Sequence, residues 1–200
     1  LRSGTITNLW GGFLIPDASP GHSYTKERHM SEVAVIEKPD FQALVVHRVV
    51  GTFSLARVMK PAYCMVMEKM QAAGLTCPEG LAPFTRYNGI DWREMEKRGF
   101  GAMLRMMFAK KWDMDIGVPV DRKTEVQGEV FSLECRPGKC VRTLHVGPYA
   151  KVAEAYTRIL KMARDQGLEL ADHSYELYLN DQREVPPEEL ETEILIPVVP

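Results

Sequence analysis

The residues best suited to hold a ligand lie in one strand-like segment of the second half of the chain, SYELYLN. Side chains alternate along a strand, which places Glu176 and Tyr178 on one side and Tyr175, Leu177 and Leu179 on the other. We expect the apolar set to face the helices of the fold, so that Glu176 and Tyr178 line a groove on the other face. A partly desolvated carboxylate beside aromatic rings attracts a lipophilic cation through Coulomb and cation–π interactions. The alternative, favoured by residue type alone, is a glutamate exposed to solvent.

Four further aromatic residues are candidate ligand contacts, namely Tyr87, Trp112, Tyr149 and Phe108. Tyr87 occupies the matching place in the first half of the chain, where Thr85 stands in the position of Glu176. A groove with this composition would carry an acid on one side only. Tyr149 follows a Gly-Pro turn at a helix start, where it either lines the groove or packs against the first turn of the helix.

The sequence offers little support for other chemistry. It contains no Ser-His-Asp order, no metal-ligand spacing and no phosphate-binding loop, so we predict no metal site, no cofactor and no catalytic residue beyond Glu176. His47 and His145 hold equivalent strand positions without an acid or a nucleophile nearby in the pattern, which is typical of packing residues. The four cysteines lack C-x-x-C spacing and are interpreted as reduced core thiols.

Composition and charge restrict the class of protein. Hydrophobic residues at 45% and charged residues at 26% are typical of a globular protein, and 200 residues suffice for one substantial domain. The net charge of -2 gives no electrostatic footprint for nucleic acid. No apolar run approaches the roughly 20 residues that cross a bilayer, and the N-terminus lacks the layout of a signal peptide. We therefore expect a cytoplasmic protein that contacts neither nucleic acid nor membrane directly.

Residues 1–30 differ in composition from the rest of the chain. They are rich in Gly, Ser, Thr and Pro, and they end in His29-Met30, which resembles the residue pair left by a common cloning site. We therefore interpret residues 1–30 as a leader or expression-vector extension and residues 31–200 as a single domain. A homodimer, in which a neighbouring chain orders the leader, is left open.

The first half of the domain, about residues 32–120, is predicted to consist of two strands, a helix and two more strands. The run EVAVIEKPDFQALVVHRVV indicates two strands around a turn at KPD. Apolar residues then recur every three to four positions from Leu55 to Ala73, which predicts a helix that ends at Gly74. Further strands are predicted at about 84–88 and 112–120.

The second half, about residues 121–198, repeats this order. Two strands flank a turn in GEVFSLECRPGKCVRTLHV, and a helix is predicted from about Ala150 to Gln166, followed by strands at Ser174–Asn180 and Leu190–Val198. Matched landmarks keep their order along the two halves: 98 residues separate Pro39 from Pro137 and His47 from His145, and 91 separate Tyr87 from Tyr178. An ordered series of this kind predicts a tandem βαββ repeat.

The spacing of the last matched strands indicates an insertion in the first repeat, within residues 91–111. Its helical pattern from Phe100 to Phe108 is rich in methionine. Methionine is unbranched and polarizable, so such a helix can adapt to varied apolar ligands. We expect a largely helical wall or lid at the rim of the groove. An ordinary amphipathic helix that covers a sheet edge is the alternative.

Taken in order, the strings LHVGPYAKVAEAY, GLE, YELYLND and EELETEILIPV resemble the GyrI-like domain, which also forms the effector-binding half of AraC-type and BmrR-type regulators. The first repeat fits more loosely, and the resemblance covers nearly all of residues 32–198. It implies an α+β fold of two βαββ units related by pseudo-two-fold symmetry. Helices would pack on one face of an antiparallel sheet, and a groove on the other face would take hydrophobic, often cationic molecules. It also makes Glu176 the match for a carboxylate that pairs with cationic drugs.

Three functions follow as hypotheses from the residues and the resemblance. The leading one is the binding of hydrophobic, cationic or polycyclic small molecules, in order to sequester or sense xenobiotics. The second is an enzyme, because some stand-alone proteins similar to this family hydrolyse strained electrophilic rings. Glu176, Tyr178 and Trp112 would then form an aromatic cage, with Glu176 as general base toward water. The third is protein interaction, such as the gyrase inhibition that named the family. The lack of a helix-turn-helix segment argues against a transcription factor, and a binding protein is favoured over an enzyme.

Overall fold

The computed structural model describes residues 32–94 and 111–200. Eight strands lie within these ranges: β1 (Ala34–Lys38), β2 (Phe41–Gly51), β3 (Phe84–Asn88), β4 (Lys111–Val120), β5 (Val130–Cys135), β6 (Gly138–Val146), β7 (Ser174–Tyr178) and β8 (Glu191–Pro197). Helix α1 (Leu55–Ala72) follows β2, and helix α2 (Val152–Asp165) follows β6. The predicted order of strands and helices is therefore confirmed. The predicted leader 1–30 and most of the insertion, including Phe108, lie outside the described residues.

Each helix packs an apolar stripe against the sheet, and a glycine follows shortly after its last residue. Pro61 lies inside α1 and removes one backbone hydrogen bond, yet the helix continues because its stripe is buried against the sheet. Gly74 and Gly167 adopt positive φ angles of 60° and 64° just beyond the two helices. The following residues donate back to the last turns, Leu75 to the Met70 carbonyl and Leu168 to the Ala163 carbonyl. In the described residues, no helix is long and apolar enough to span a bilayer.

All eight strands join one antiparallel sheet in the order β1-β6-β8-β7-β3-β4-β2-β5. β1 pairs with β6 rather than with its chain neighbour β2, and β5 pairs with β2 rather than with β6. The predicted turns after β1 and β5 therefore connect strands that lie in different halves of the sheet. The Lys38 Nζ donates to the carbonyl oxygens of Cys135 and Arg136, at 3.3 and 2.5 Å. Because these groups end the two edge strands, the sheet curls until its edges approach each other.

Cross-strand pairing shows which side chains share a face of the sheet. Thr85 on β3 pairs with Ile116 on one side and with Glu176 on the other, and Glu176 pairs in turn with Ile194. Ile116 packs in one cluster with residues of α1, and Ile194 packs in another with residues of α2. Both helices therefore cover the face that carries Glu176.

The opposite face of the sheet is buried as well, and within residues 32–94 and 111–200 its cluster contains no helix residue. Phe84, Tyr175 and Leu177 pack there with Val45 and Cys135, among others. The expectation that the apolar side of β7 faces the helices is therefore wrong, and so is the expectation of a ligand groove lined by Glu176 on the face away from them. The prediction assumed a sheet with one wet face, whereas this curled sheet buries apolar side chains on both.

Candidate functional site

Glu176 lies on β7, one of the two central strands of the sheet, on the face covered by the two helices. It stands in the middle of β7, and Thr85 on β3 is its cross-strand partner. Only 7% of the residue is exposed, and Thr85 is fully buried. A carboxylate is rarely buried unless it is paired, so this position requires hydrogen-bond partners or a counter-charge.

Three tyrosine hydroxyls converge on the Glu176 carboxylate. The Tyr156 hydroxyl donates to Oε1 at 2.9 Å. Tyr178 and Tyr87 both approach Oε2, at 3.3 and 3.4 Å. The donors come from α2, from β7 itself and from β3, so the two halves of the sheet and one helix together build this group. We call Glu176, Tyr87, Tyr156 and Tyr178 the tyrosine cage.

The Oε1 side of the tyrosine cage is tightly organised. The Ser174 hydroxyl lies 3.1 Å from the Tyr156 oxygen, and it is the donor of this pair when Tyr156 donates to Glu176. Trp92 stacks on the Tyr156 ring, with centroids 5.8 Å apart and an interplanar angle of 22°. The Trp92 indole N–H is anchored on the Ala171 carbonyl oxygen at 2.5 Å. Tyr156 is thus fixed both at its ring and at its hydroxyl.

The Oε2 side has longer contacts and a second acceptor. The Tyr178 hydroxyl lies 3.2 Å from Thr85 Oγ1, which is as close as Glu176 Oε2. The Tyr63 ring of α1 packs edge to face on the Tyr178 ring, with centroids 6.5 Å apart. The Tyr63 hydroxyl donates to the Phe84 carbonyl oxygen at 2.9 Å. α1 therefore closes this side of the cage through an aromatic ring.

Two more aromatic residues extend the cage outward. Trp112 packs edge to face on Tyr87 with ring centroids 5.5 Å apart, and its indole N–H donates to the Thr52 hydroxyl at 2.8 Å. Tyr149 packs perpendicular to Tyr178 at 5.8 Å and is 39% exposed. The cage is therefore continuous, through rings, with the surface at the start of α2.

The electrostatics of the cage are dominated by one buried acid. Desolvation raises the pKa of Glu176, and the hydroxyl hydrogen bonds from Tyr156, Tyr178 and Tyr87 oppose that rise. Burial also raises the pKa values of these three phenols, so they stay neutral donors. Among the ion pairs of residues 32–94 and 111–200, none involves Glu176. The carboxylate thus has hydrogen bonds in this part of the chain but no cationic side chain.

The family of the chain follows from a sequence comparison. The model of the GyrI-like small molecule binding domain matches residues 94–199, which is just over half of the 200 residues. The chain belongs to the GyrI-like family. No curated protein matches the sequence significantly.

Solved structures share this GyrI-like fold. EcmrR, solved in a complex with DNA, aligns with a TM-score of 0.68 at 24% identity, covering 86% of this chain and 59% of its own. The EcmrR C-terminal domain alone aligns with a TM-score of 0.68 at 22% identity, covering 84% of this chain and 97% of that one. This chain therefore spans 59% of the longer EcmrR chain.

Two other similar structures carry different functional descriptions. A hydrolase from Listeria innocua aligns with a TM-score of 0.54 at 19% identity, covering 86% of this chain and 94% of that one. SAV2435, solved with bound tetraphenylphosphonium, aligns with a TM-score of 0.53 at 11% identity, covering 84% and 94%. At these identities the likeness establishes the fold alone.

Within this GyrI-like chain, five of the six predicted ligand contacts lie together. Glu176, Tyr178 and Tyr87 form the cage, and Trp112 and Tyr149 extend it. Phe108 lies outside the described residues. Sequence reasoning missed three other residues of the site: Tyr63 and Trp92, which pack on the cage, and Tyr156, which belongs to it. Tyr63 and Tyr156 lie in the apolar stripes of α1 and α2. A tyrosine in a buried stripe could have indicated the site, because its hydroxyl needs a hydrogen-bond partner there.

His47 and the four cysteines were given no ligand-binding role from the sequence, and the structure shows what surrounds them. His47 Nδ1 lies 3.0 Å from Asp115 Oδ1, so an acid does lie beside it, contrary to the sequence pattern. This acid is its cross-strand partner on β4 and could not be assigned before the pairing was known. The four cysteines are unbridged, and Cys135 and Cys140 are buried, whereas Cys64 and Cys77 are only half-buried. In the described ranges, no group of three or more His, Cys, Asp or Glu is arranged to hold a metal ion.

Proposed function

We propose that this chain binds hydrophobic cations between α1 and α2, with Glu176 as the charge partner. The observation that carries the proposal is a buried carboxylate that receives three phenol hydrogen bonds but no cationic side chain among the described residues. Burial of an ionised carboxylate costs several kcal/mol, and a bound cation would offset part of that cost. The site would therefore favour a positive ligand over a neutral one of the same shape.

The aromatic rings around Glu176 support a lipophilic rather than a small hydrated cation. Tyr87, Trp112, Tyr178 and Tyr149 offer edges and faces in two edge-to-face pairs. Aromatic faces attract cations whose charge is weakly hydrated, and they bury apolar surface at the same time. The similar fold of SAV2435 with tetraphenylphosphonium agrees with this ligand class. Sequestration or sensing of xenobiotics is the role that we propose for such binding.

We also propose that the two halves are tandem repeats with the cage at their pseudo-two-fold axis. The strand order reads the same from either end of the sheet once β1 to β4 are exchanged with β5 to β8. Glu176 and Thr85 then stand as equivalent residues on the two central strands, paired across the axis. A repeat that kept the acid in only one copy would produce a site for a single positive charge.

A matched pair of dyes tests the proposed function. Thioflavin T is a cationic aromatic dye, and its uncharged analogue without the ring N-methyl group has nearly the same shape. Glu176→Gln keeps the size of the side chain but removes its charge. The variant should bind thioflavin T more weakly by about 1.5–3 kcal/mol, the scale of a hydrogen bond to a charged group, while the neutral analogue should lose far less. Fluorescence titration measures all four affinities.

Glu193→Gln provides the control for the general loss of a negative charge. Glu193 lies on β8, pairs across strands with Leu177 on the opposite face of the sheet, and forms an ion pair with Arg142. This variant should leave both dye affinities unchanged. Equal binding of thioflavin T to the wild-type protein and Glu176→Gln would refute cation binding at the cage.

Hydrolysis of a strained electrophilic ring is a second candidate function, supported by the same carboxylate. A general base works best when its pKa lies near the working pH, and burial raises the pKa of Glu176 in that direction. Glu176 would take a proton from water, the water oxygen would bond to the ring carbon, and the ring bond would break toward a leaving atom protonated by a tyrosine hydroxyl. The similar fold of the Listeria innocua hydrolase agrees with this reaction class.

Product analysis separates turnover from binding. The protein is incubated with an aryl epoxide, and mass spectrometry is used to detect the product that has gained one water molecule. The enzyme hypothesis predicts product with the wild-type protein and none above background with Glu176→Gln. Tight binding without product would leave the binding function as the sole proposal.

A further inference from the structure

The Tyr178 hydroxyl has one proton, and two of the acceptors near it lie at nearly equal distance. Glu176 Oε2 lies 3.3 Å away and Thr85 Oγ1 lies 3.2 Å away. A phenol O–H rotates about its C–O bond, but it can donate only one good hydrogen bond at a time. The hydroxyl therefore has two states, one that caps the carboxylate and one that points to Thr85.

Thr85 is arranged to accept this proton. The Tyr63 hydroxyl lies 2.9 Å from the Phe84 carbonyl oxygen, which can only accept, so the Tyr63 proton is directed there. The Thr85 Oγ1 lies 3.5 Å from the Tyr63 oxygen and can direct its own proton toward it. A lone pair of Thr85 Oγ1 then remains for Tyr178. Each hydroxyl along the path from Tyr178 to the Phe84 carbonyl oxygen thus has an acceptor.

The other carboxylate oxygen lacks such a second state. Tyr156 donates to Oε1 at 2.9 Å, accepts from Ser174 in that arrangement and is stacked against Trp92. If the Tyr156 proton turned away from Glu176, it would point to the Ser174 oxygen. The Ser174 proton could then no longer be donated to Tyr156. The Oε1 cap is therefore fixed, whereas Oε2, with longer contacts from Tyr178 and Tyr87, can lose the Tyr178 hydrogen bond.

We propose that Thr85 determines the charge specificity of the cage by accepting the Tyr178 proton when a cation approaches Glu176 Oε2. This inference rests on the proposed function. With a cationic ligand, Tyr178 turns to Thr85, and Oε2 keeps only the longer contact from Tyr87 at 3.4 Å. With a neutral ligand, Tyr178 keeps its hydrogen bond to Oε2 and the carboxylate stays capped. Thr85 acts through Tyr178 and need not touch the ligand.

Thr85→Val tests the proposal because it removes the acceptor and nearly preserves the shape of the side chain. In this variant the Tyr178 proton can no longer turn to Thr85 and stays directed to Glu176, so a cation must compete with the cap. Thioflavin T should bind about fivefold to tenfold more weakly, the scale of one neutral hydrogen bond, and the uncharged analogue should change less than about twofold. Thr85→Ser restores the hydroxyl and should restore thioflavin T affinity.

A double-mutant cycle with Tyr178→Phe excludes a purely structural effect. Without the Tyr178 hydroxyl there is no proton to redirect, so Thr85→Val should no longer change thioflavin T affinity. The proposal is overturned if Thr85→Val weakens both dyes equally, if its effect persists in the Tyr178→Phe background, or if serine fails to rescue it. Should the valine variant not fold, Thr85→Ala in both Tyr178 backgrounds gives the same comparison.

The outcome is distinguishable from failure of the proposed function. If Glu176→Gln weakens thioflavin T binding and Thr85→Val does not, cation binding stands and the role of Thr85 is refuted. If neither variant affects thioflavin T, both claims fall. Ser132→Ala removes a hydroxyl on the edge strand β5 that donates to the Thr124 carbonyl oxygen, and it serves as the control, because it should not alter the ratio of the cationic to the neutral affinity.

Discussion

Replacement of Tyr156 by phenylalanine should destabilise the protein by an amount that depends on pH. The change deletes only the hydroxyl that donates to Glu176 Oε1 at 2.9 Å, the shortest contact of the cage. The ring and its stacking on Trp92 remain. Loss of a hydrogen bond to an ionised carboxylate costs about 1.5–3 kcal/mol, and loss of one to a neutral carboxyl about 0.5–1.5 kcal/mol. The free energy of unfolding should fall by the larger amount only where Glu176 is charged.

The direction of the pH dependence follows from the raised pKa of Glu176. Desolvation raises this pKa above its unfolded value, so the folded protein favours the protonated acid. The stability that this preference contributes is fully present below the unfolded pKa and is lost as pH rises through the folded pKa. Tyr156→Phe removes a donor that stabilises the charged form and raises the pKa further. The cost of the substitution should therefore grow with rising pH.

Urea unfolding followed by circular dichroism, at several values between about pH 5 and about pH 8, measures this cost. Tyr175→Phe is the matched control on the same strand. Its ring packs on the opposite face, where its hydroxyl contacts the Cys135 thiol. That variant should show a small cost without a trend over this range. A cost for Tyr156→Phe that does not vary with pH would contradict the assignment of Glu176 as a buried, titrating acid.

Two further predictions concern ligand binding and packing. Thioflavin T affinity should fall as pH is lowered through the raised pKa of Glu176, because the protonated acid has no charge. The uncharged analogue should bind equally at each pH. Fluorescence titration of both dyes across pH tests this prediction. Gly117→Ala should lower the free energy of unfolding by about 1–3 kcal/mol, measured in urea, since a Cβ there would lie 2.5 Å from the Leu44 carbonyl oxygen and closer still to Val45 Cγ1. A stability equal to that of the wild-type protein would show that β2 and β4 separate without strain.

The order of elements could be predicted from the sequence because it depends on local periodicity. Alternation marks the strands, apolar spacing marks α1 and α2, and Gly74 and Gly167 mark the helix ends. The pairing of β1 with β6 could not be predicted in this way. It joins residues about a hundred positions apart, and no local pattern distinguishes it from a hairpin with β2.

The candidate site was predicted in composition but not in position. Resemblance and residue type selected Glu176, Tyr178, Tyr87, Trp112 and Tyr149, which the fold brings together. Their placement away from the helices was wrong, because alternation divides a strand into two faces without identifying the one that the helices cover. Aromatic residues in a helix stripe posed a similar problem. Their spacing predicts burial, but the partner of a tyrosine hydroxyl lies on another element and becomes visible only in three dimensions.

A crystal structure of the protein with thioflavin T bound is the most direct test of cation binding at Glu176. We predict that the dye lies between α1 and α2, with its charged ring within about 6 Å of a tyrosine or tryptophan ring and beside Glu176 Oε2. The Tyr178 oxygen should then lie closer to Thr85 Oγ1 than to Glu176 Oε2. A dye bound against Tyr175 and Leu177 on the opposite face, with the cage unchanged, would contradict the assignment.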